Sequence, residues 1–221
     1  MKTKWIVTAV AVTLMVGVVA TNWSTIMGSM MTTAIDPTAG ATIVSITGLH
    51  DATRMDETGN SKDVLLKKGA TIKTADLIIG SDDDNNSLHL ALDAKNSARF
   101  NAADFVLRSL LGNDNKNFSV TVEIGSALFE LNEATGKQFE IVDTNKNSAL
   151  VDGKNASFYV LVDDDGMQVF VRSGQVTLTN TRTKSTIEIK DGQAAKVGSD
   201  GIASTVEHTA AWIKSIEWAQ G

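Results

Sequence analysis

The side chains best suited to chemistry in this 221-residue chain are oxygen-bearing residues in short polar turns. They alternate along the chain in two sets, Asp82, Asp84 and Asn86, and Asp143, Asn145 and Asn147. Oxygen ligands at alternate positions suit Ca²⁺, but the glycine and the distal glutamate of an EF-hand loop are missing from both sets. Hairpin turns have the same composition without an ion. We therefore name these six residues as calcium candidates and favour hairpin turns as their explanation.

No sequence pattern frames a catalytic group. His50, His89 and His208 are far apart in the chain, and His89 is predicted to be an exposed residue on the polar face of a strand. The chain contains no cysteine, and no GxSxG, GxxxxGK[ST] or GxGxxG motif occurs. We therefore predict a protein that is not an enzyme and has no cofactor. The enzymatic alternative is a pair of carboxylates acting on polysaccharide, close in space but not in sequence.

Composition excludes several other classes of protein. The formal net charge is −6 and the isoelectric point is about 5.0, whereas nucleic-acid binding requires clustered Lys and Arg. The absence of cysteine excludes a disulfide-stapled scaffold and a zinc finger. With 43% apolar residues the chain can bury a sizeable core. We expect a folded acidic domain that does not bind nucleic acid.

The first 31 residues are predicted to form a signal peptide or a membrane-anchor helix. Lys2 and Lys4 precede an uncharged apolar run over residues 5–20, and cleavage after Ala20 would suit a signal peptide. Alternatively, Trp5 and Trp23 bracket the run as an aromatic belt would, so that residues 5–23 anchor the chain in a membrane. Both alternatives place the remainder outside the cytoplasm: in the periplasm, at the cell surface or secreted.

The central part of the chain is predicted to be a single all-β domain. After a small-residue linker over 32–41, apolar residues recur with period two, and turn-forming clusters separate the segments. Residues 102–111 fit a short helix or a strand equally well. The pattern predicts a β domain over 42–204, built as a sandwich, barrel or solenoid-like stack. The clearest predicted strands are 42–47, 76–79, 87–92, 118–123, 138–143, 156–162, 167–172, 175–179 and 186–190.

The C-terminal segment, 205–221, has the pattern of an amphipathic helix. Its apolar residues, among them Trp212, fall on one half of a helical wheel, while Trp218 points away from that stripe. The favoured interpretation is a helix that caps an open end of the sheet stack. Docking of Trp212 and Trp218 onto a partner or a membrane is the alternative.

Several motifs of the β domain resemble those of the FecR-like domain of envelope regulators. An early strand ends at Gly48 and precedes the segment L65-L66-K67-K68-G69-A70-T71-I72-K73-T74. A "Gly-x-leu-phe" strand follows at 125–130, and "phe-x-ile" at 139–141. The two most specific matches are V171-R172-S173-G174-Q175-V176 and D191-G192-Q193-A194-A195. Residues 153–155 depart from the family pattern.

The resemblance implies an extracytoplasmic FecR-like module with a β-solenoid-like or sandwich-like fold. Signalling members of that family carry a cytoplasmic helical part that is similar to anti-sigma factors, whereas four residues precede the apolar run here. The expected role is therefore protein interaction, assembly or scaffolding in the cell envelope, with an envelope protein or a second copy as the partner. Binding of a glycan, a metabolite or Ca²⁺ is one alternative, and a self-assembling surface or filament subunit is another.

Overall fold

The computed structural model describes residues 40–55, 58–112, 114–198, 200–206 and Trp218, which belong to one compact unit over 36–221. These residues form sixteen β-strands that are joined in one continuous open sheet. In chain order the strands are β1 (Ala41–Thr47), β2 (Asp51–Met55), β3 (Ser61–Asp63), β4 (Thr71–Ile72), β5 (Leu77–Ile79), β6 (Ser87–Ala91), β7 (Asn96–Ser109), β8 (Asn117–Leu131), β9 (Gln138–Val142), β10 (Ser148–Asp152), β11 (Ala156–Asp163), β12 (Gly166–Ser173), β13 (Gln175–Asn180), β14 (Ser185–Lys190), β15 (Ala194–Gly198) and β16 (Gly201–Val206).

The long antiparallel hairpin of β7 and β8 belongs to two layers at once. The first half of β7 pairs with the second half of β8, and these halves continue the sheet through β6 and β11. The other halves of the same strands continue it through β5 and β9. Layer I therefore has the order β4-β1-β6-β7-β8-β11-β12-β15-β16, and layer II has the order β3-β2-β5-β7-β8-β9-β10-β13-β14.

The hairpin passes from one layer to the other at a sharp bend. Its register shifts between Asn101 and Asp104, opposite Gly125 of β8. Gly125 has a φ of +103°, and a Cβ at this position would overlap the carbonyl oxygen of Ala102. Because every other residue carries a Cβ, glycine is the residue that permits this close approach. Gly125, the first residue of the motif at 125–130, therefore lies at the bend between the layers.

Phenylalanine side chains fill the space between the layers. Phe100 stacks on Phe105 with ring centroids 3.8 Å apart, and Phe129 stacks on Phe158 at 5.1 Å. Phe118, from layer II, meets Phe129 edge-on at 6.3 Å. Close aromatic packing of this kind adds to the free energy of burial. Of the seven phenylalanines in the chain, six are at most 1% exposed: Phe100, Phe105, Phe118, Phe129, Phe139 and Phe158.

After β8 the chain adds one hairpin to each layer in turn. The β9–β10 and β13–β14 hairpins extend layer II, whereas β11–β12 and β15–β16 extend layer I. Their tight turns lie at the end of the sandwich where β7 and β8 bend, and we call this the bend end. The connections that cross between layers lie at the opposite end. The arrangement is sandwich-like in its two layers and solenoid-like in its stepwise growth.

The all-β prediction is confirmed for the described residues. Eight of the nine clearest predicted strands agree with observed strands to within one residue at each end, and the ninth is the first half of β8. Residues 102–109 belong to strand β7 and not to a helix. The pattern missed β2, β3, β4, β10, β15 and β16, which are short or lack clean alternation, and it also missed residues 96–101 of β7.

The predicted terminal helices fall largely outside the described residues. Residues 1–39 and 207–217 are not described, so the signal peptide, the anchor and most of the C-terminal helix stay predictions. The strand β16 continues to Val206, and therefore includes the first two residues of the predicted segment 205–221. Within the described ranges, no helix is long and apolar enough to span a membrane.

Candidate functional site

The outer face of layer I carries a continuous row of side chains. His89, Arg99, Leu128, Tyr159 and Phe170 are register partners on five neighbouring strands, β6, β7, β8, β11 and β12. Successive side chains of a strand point to opposite faces. The neighbours of these residues along each strand are buried between the layers, so the row itself faces outward.

One half of this row forms an apolar surface. Leu128 and Tyr159 are each 3% exposed and form a cluster separate from the main core. Phe170 and Trp218 pack against the cluster, and the Tyr159 and Phe170 rings lie 5.9 Å apart at 22°. We call Leu128, Tyr159 and Phe170 the outer patch. Trp218, a predicted interaction residue, is thus placed on the outer patch of its own chain.

Two polar atoms on this face are buried without a hydrogen-bond partner among the described residues. They are Trp218 Nε1 and Ser157 Oγ. Ser157 precedes Tyr159 by two residues on β11 and therefore lies on the same face. A buried donor left unpaired costs about 1–3 kcal/mol. The contact between Trp218 and the outer patch is therefore favourable in its apolar part and unfavourable in its polar part.

The other half of the row is polar. Burial lowers the pKa of His89, and the positive charge of Arg99 lowers it further, against an opposing effect of Glu130. The imidazole of His89 is therefore neutral at pH 7. His89 is half-buried, which differs from the predicted exposed position, because it lies within the sheet between β1 and β7. The row is therefore polar at the end formed by His89 and Arg99 and apolar at the end formed by Leu128, Tyr159 and Phe170.

The first calcium candidate set occupies the turn between β5 and β6. Asn86 is fully buried, and its Oδ1 accepts a hydrogen bond of 2.8 Å from Leu49 N. Its Nδ2 donates to Gly80 O at 3.3 Å and to Asp82 Oδ1 at 3.4 Å. Asp84 is exposed. The amide of Asn86 therefore ties the β5–β6 turn to the β1–β2 turn.

The second set occupies the β9–β10 turn. Asp143 Oδ1 accepts from Asn147 N and Asp143 Oδ2 accepts from Asn147 Nδ2, both at 2.8 Å. Burial raises the pKa of Asp143, while hydrogen bonds from Asn147 and Asn145 oppose the rise. Asp143 and Asn147 are buried, whereas Asn145 is exposed. Both carboxylate oxygens of Asp143 are thus committed to closing the turn.

Three acidic turns meet in a cleft at the bend end. Asn145 lines this cleft of about 400 Å³ with Asp164, Asp165 and Asp200. Lys196 also lines it, and its Nζ lies 3.6 Å from Asp165 Oδ2. A second carboxylate oxygen, Asp163 Oδ1, lies 3.9 Å from the same Nζ. Across the part of the chain that is described, no group of three or more acidic or histidine side chains is placed to hold a metal ion.

The bend itself brings together side chains that sequence reasoning did not single out. Asp104 accepts hydrogen bonds from Gly80 N, Ser81 N and Ser81 Oγ at 2.9–3.0 Å. Burial, together with the nearby charge of Asp104, raises the pKa of Glu123. No sequence signal marks the two carboxylates, because they are nineteen positions apart in the chain and only the hairpin pairing of β7 with β8 brings them together.

The described histidines do not come together at the bend end. His50 Nε2 lies 3.1 Å from Thr47 O, and His50 Nδ1 is buried with no partner in the described ranges. His208 and Trp212 lie outside the described residues. His50 and His89 are on different elements, the β1–β2 turn and β6. The described histidines therefore do not form a shared site.

No protein-family model matches the chain, and no curated protein matches it. Among solved structures, two crystal structures, each of a candidate anti-sigma factor from Parabacteroides distasonis ATCC 8503, are similar to it in fold. The first, at 1.65 Å resolution, has a TM-score of 0.48 and 24% sequence identity, and the match covers 61% of each chain. The second, at 2.50 Å, has a TM-score of 0.46 and 24% identity, covering 59% of each. The chain thus spans about three fifths of those structures.

Proposed function

We propose that this protein is a non-enzymatic FecR-like module that acts outside the cytoplasm as a protein-interaction or assembly domain of the cell envelope. The observation that carries the proposal is the outer patch. Leu128, Tyr159 and Phe170 form an apolar surface outside the core, on a sheet face where soluble domains place polar side chains. Trp218 covers this surface in the single chain, and where such an apolar surface is uncovered and bordered by polar residues it marks a protein-interaction site.

The sequence motifs support the FecR-like part of the proposal through their structural roles. Gly125 of the "Gly-x-leu-phe" motif permits the bend that joins the layers. Gln193 of the "Gly-Gln-x-ala" motif ties β14 to β12, because its Oε1 accepts from Lys190 N and its backbone oxygen accepts from Val171 N, both at 3.0 Å. Residues with such roles are determined by the fold, so their spacing is a signature of that fold.

The N-terminal segment supports the extracytoplasmic part of the proposal. Residues 5–20 are apolar and uncharged, and Lys2 and Lys4 precede them, which is the arrangement of an exported or membrane-anchored chain. A module held at the membrane through residues 5–23 meets envelope proteins and further copies of itself. The partner in this proposal is therefore an envelope protein or a second copy.

The test is cross-linking in living cells followed by affinity purification of the full-length chain and mass spectrometry. The expected result is a stoichiometric protein partner, or a ladder of self-linked copies. Detection of the peptide that contains Met1 or Lys2 in the same run is expected for an anchored chain, and a chain beginning at Thr21 for a secreted one. Recovery of the protein as a monomer linked to nothing would refute the interaction role.

A matched control separates a specific partner from bystanders. Phe170 is half-buried on the outer face, so Phe170→Ser removes apolar surface while leaving the core between the layers intact. If the partner docks at the outer patch, this variant loses the cross-link while a variant at the opposite layer, Thr186→Ser, keeps it. Thr186 is an exposed residue of β14 in layer II. Equal cross-linking of both variants would place the partner elsewhere on the domain.

A further inference from the structure

The surface that carries the proposed function is already occupied by a residue of the same chain. Trp218 packs on Leu128 and Tyr159, although β16, the last described strand, ends at Val206. The residue that lies on the outer patch therefore follows the last described strand in the chain. Trp218 belongs to the C-terminal segment 207–221.

The end of β16 lies within reach of the outer patch, as the length of the chain between Val206 and Trp218 shows. Val206 pairs with Ala194, and Ala194 pairs with Phe170, so β16 ends on the same row as the outer patch. From β16 to β8 the row crosses four strand spacings, or about 19 Å. Twelve residues lead from Val206 to Trp218, and they cover about 18 Å at the rise of a helix and about 40 Å when extended. The chain is thus long enough to return across the face of layer I.

The contact of Trp218 with the outer patch leaves a polar atom of the indole without a hydrogen bond in the described part of the chain, which favours exchange of this contact. Trp218 Nε1 and Ser157 Oγ are both buried without a partner among the described residues. Each unpaired group offsets part of the free energy gained by burying apolar surface. The contact of Trp218 with the patch is therefore less stabilising than a contact whose polar atoms are all paired. A surface that accepts its own C-terminal segment also accepts the identical segment of another copy.

We propose that the outer patch is a docking site for the C-terminal segment 207–221, filled in cis by Trp218 in a single chain, and filled by the same segment of a second copy when two chains exchange these segments. The inference rests on the proposed function and deepens it, because it names a second copy of the chain as the partner. It also assigns Trp218 as the anchor residue of the exchanged segment.

The test uses the full-length chain in mild detergent and a fluorescein-labelled synthetic peptide of residues 207–221. Fluorescence anisotropy measures binding of the peptide to the wild-type chain and to Trp218→Ala. The variant, whose patch is vacated, is expected to bind the peptide at least tenfold more tightly. The reason is that a short tether gives the cis segment an effective concentration of about 1 mM, against which the free peptide must compete.

Two controls keep the result specific. The same peptide carrying Trp218→Ala is expected to bind at least tenfold more weakly, and this control requires no change in the protein. The double variant Phe170→Ser/Trp218→Ala is expected to lose binding of the unmodified peptide. Circular dichroism of each variant reports whether the sheet is retained. Equal binding of the peptide to the wild type and Trp218→Ala, or binding that is insensitive to the tryptophan of the peptide, overturns the proposal.

Exchange between copies is tested by mixing ¹⁴N-labelled and ¹⁵N-labelled chains and cross-linking them. The expected product joins Lys214 of one isotope to Lys196 of the other, and its yield rises with protein concentration and falls in Trp218→Ala. Links confined to one isotope show a segment that stays in cis and overturn the exchange. That outcome leaves the cellular cross-linking experiment free to find a different envelope partner, so the two proposals fail separately.

Discussion

At the residue scale, the polar side chains of the turns hold the fold together. Asn86 is a candidate ion ligand in the sequence because it alternates with two aspartates, and the structure shows its amide buried and hydrogen-bonded to Leu49 and Gly80. The sequence pattern of a calcium loop and of a tied turn is the same, since both use side-chain oxygens at alternate positions. A calcium loop and a tied turn can be distinguished only by the hydrogen-bond partner of Asn86. That partner is Leu49, which belongs to a turn 37 positions away in the chain. That partner could not be predicted from local spacing.

Glu123 predicts a specific dependence of stability on pH. Burial and the nearby Asp104 raise its pKa above the ordinary value of 4.5. Between 4.5 and the raised value, the folded chain retains a proton that the unfolded chain has released, so the free energy of unfolding falls as pH rises through this window. The substitution Glu123→Gln removes the titrating carboxyl group, and with it this loss of stability at higher pH. Its free energy of unfolding is therefore expected to exceed that of the wild type at pH 7, with the difference shrinking below pH 4.5.

Urea unfolding followed by circular dichroism from pH 4 to pH 8 measures this difference. The comparison is made between the two chains at each pH, so other titrating groups, including Asp143, cancel. Parallel curves for the wild type and Glu123→Gln would contradict the burial of Glu123 beside Asp104. A difference that grows toward low pH would reverse the sign and exclude the proposed cause.

At the element scale, the sequence predicts strands well and their arrangement poorly. Alternation of apolar and polar residues reveals a strand whose one face is buried, and β6, β12 and β13 have this pattern. The pattern does not reveal that β7 and β8 divide between two layers, because apolar residues continue on both sides of Gly125. The outer patch escapes prediction for a related reason. Tyr159 follows Phe158 in a nearly continuous buried run, so its outward direction could not be read from the sequence.

The bend predicts that Gly125 tolerates no side chain. In Gly125→Ala the new Cβ meets the carbonyl oxygen of Ala102, and the backbone must also keep a positive φ. Together the overlap and the strained backbone are expected to cost about 2–5 kcal/mol. Gly136→Ala is the matched control, since Gly136 has a φ of +70° and a Cβ added there would have no atom within 4 Å.

Chemical denaturation of the two alanine variants compares these costs. The free energy of unfolding of Gly136→Ala is expected to fall only by the cost of placing alanine in a left-handed backbone conformation, about 1–2 kcal/mol. Equal losses in the two variants would show that the close approach of Gly125 to Ala102 contributes nothing, and that the bend depends on backbone conformation alone.

At the scale of the whole molecule, the shared hairpin couples the two layers. Phe118 in layer II packs on Phe139 and Phe129, and Phe129 in layer I packs on Phe158. Since β7 and β8 belong to both layers, neither layer can separate without breaking strands of the other. The described domain should therefore unfold as one cooperative unit, as small single domains usually do.

Substitutions in opposite layers test this coupling. Phe118→Leu and Phe158→Leu each remove packing from a fully buried ring, and each is expected to cost about 1–3 kcal/mol. Both variants should shift one common transition, seen at the same denaturant concentration by far-ultraviolet circular dichroism and by limited proteolysis. Two separate transitions, with each substitution affecting a different one, would show that the layers unfold independently.

The alternating hairpins beyond β8 have a consequence for how this architecture can change in length. The first residues of β9 and β13 are 37 residues apart, and those of β11 and β15 are 38 apart. Each interval adds one hairpin to both layers and returns the chain to an equivalent edge. A duplication or deletion of one such interval would lengthen or shorten the domain by a whole step while leaving the β7–β8 bend untouched. The unit of growth is therefore a pair of hairpins, and relatives of different size should differ by multiples of it.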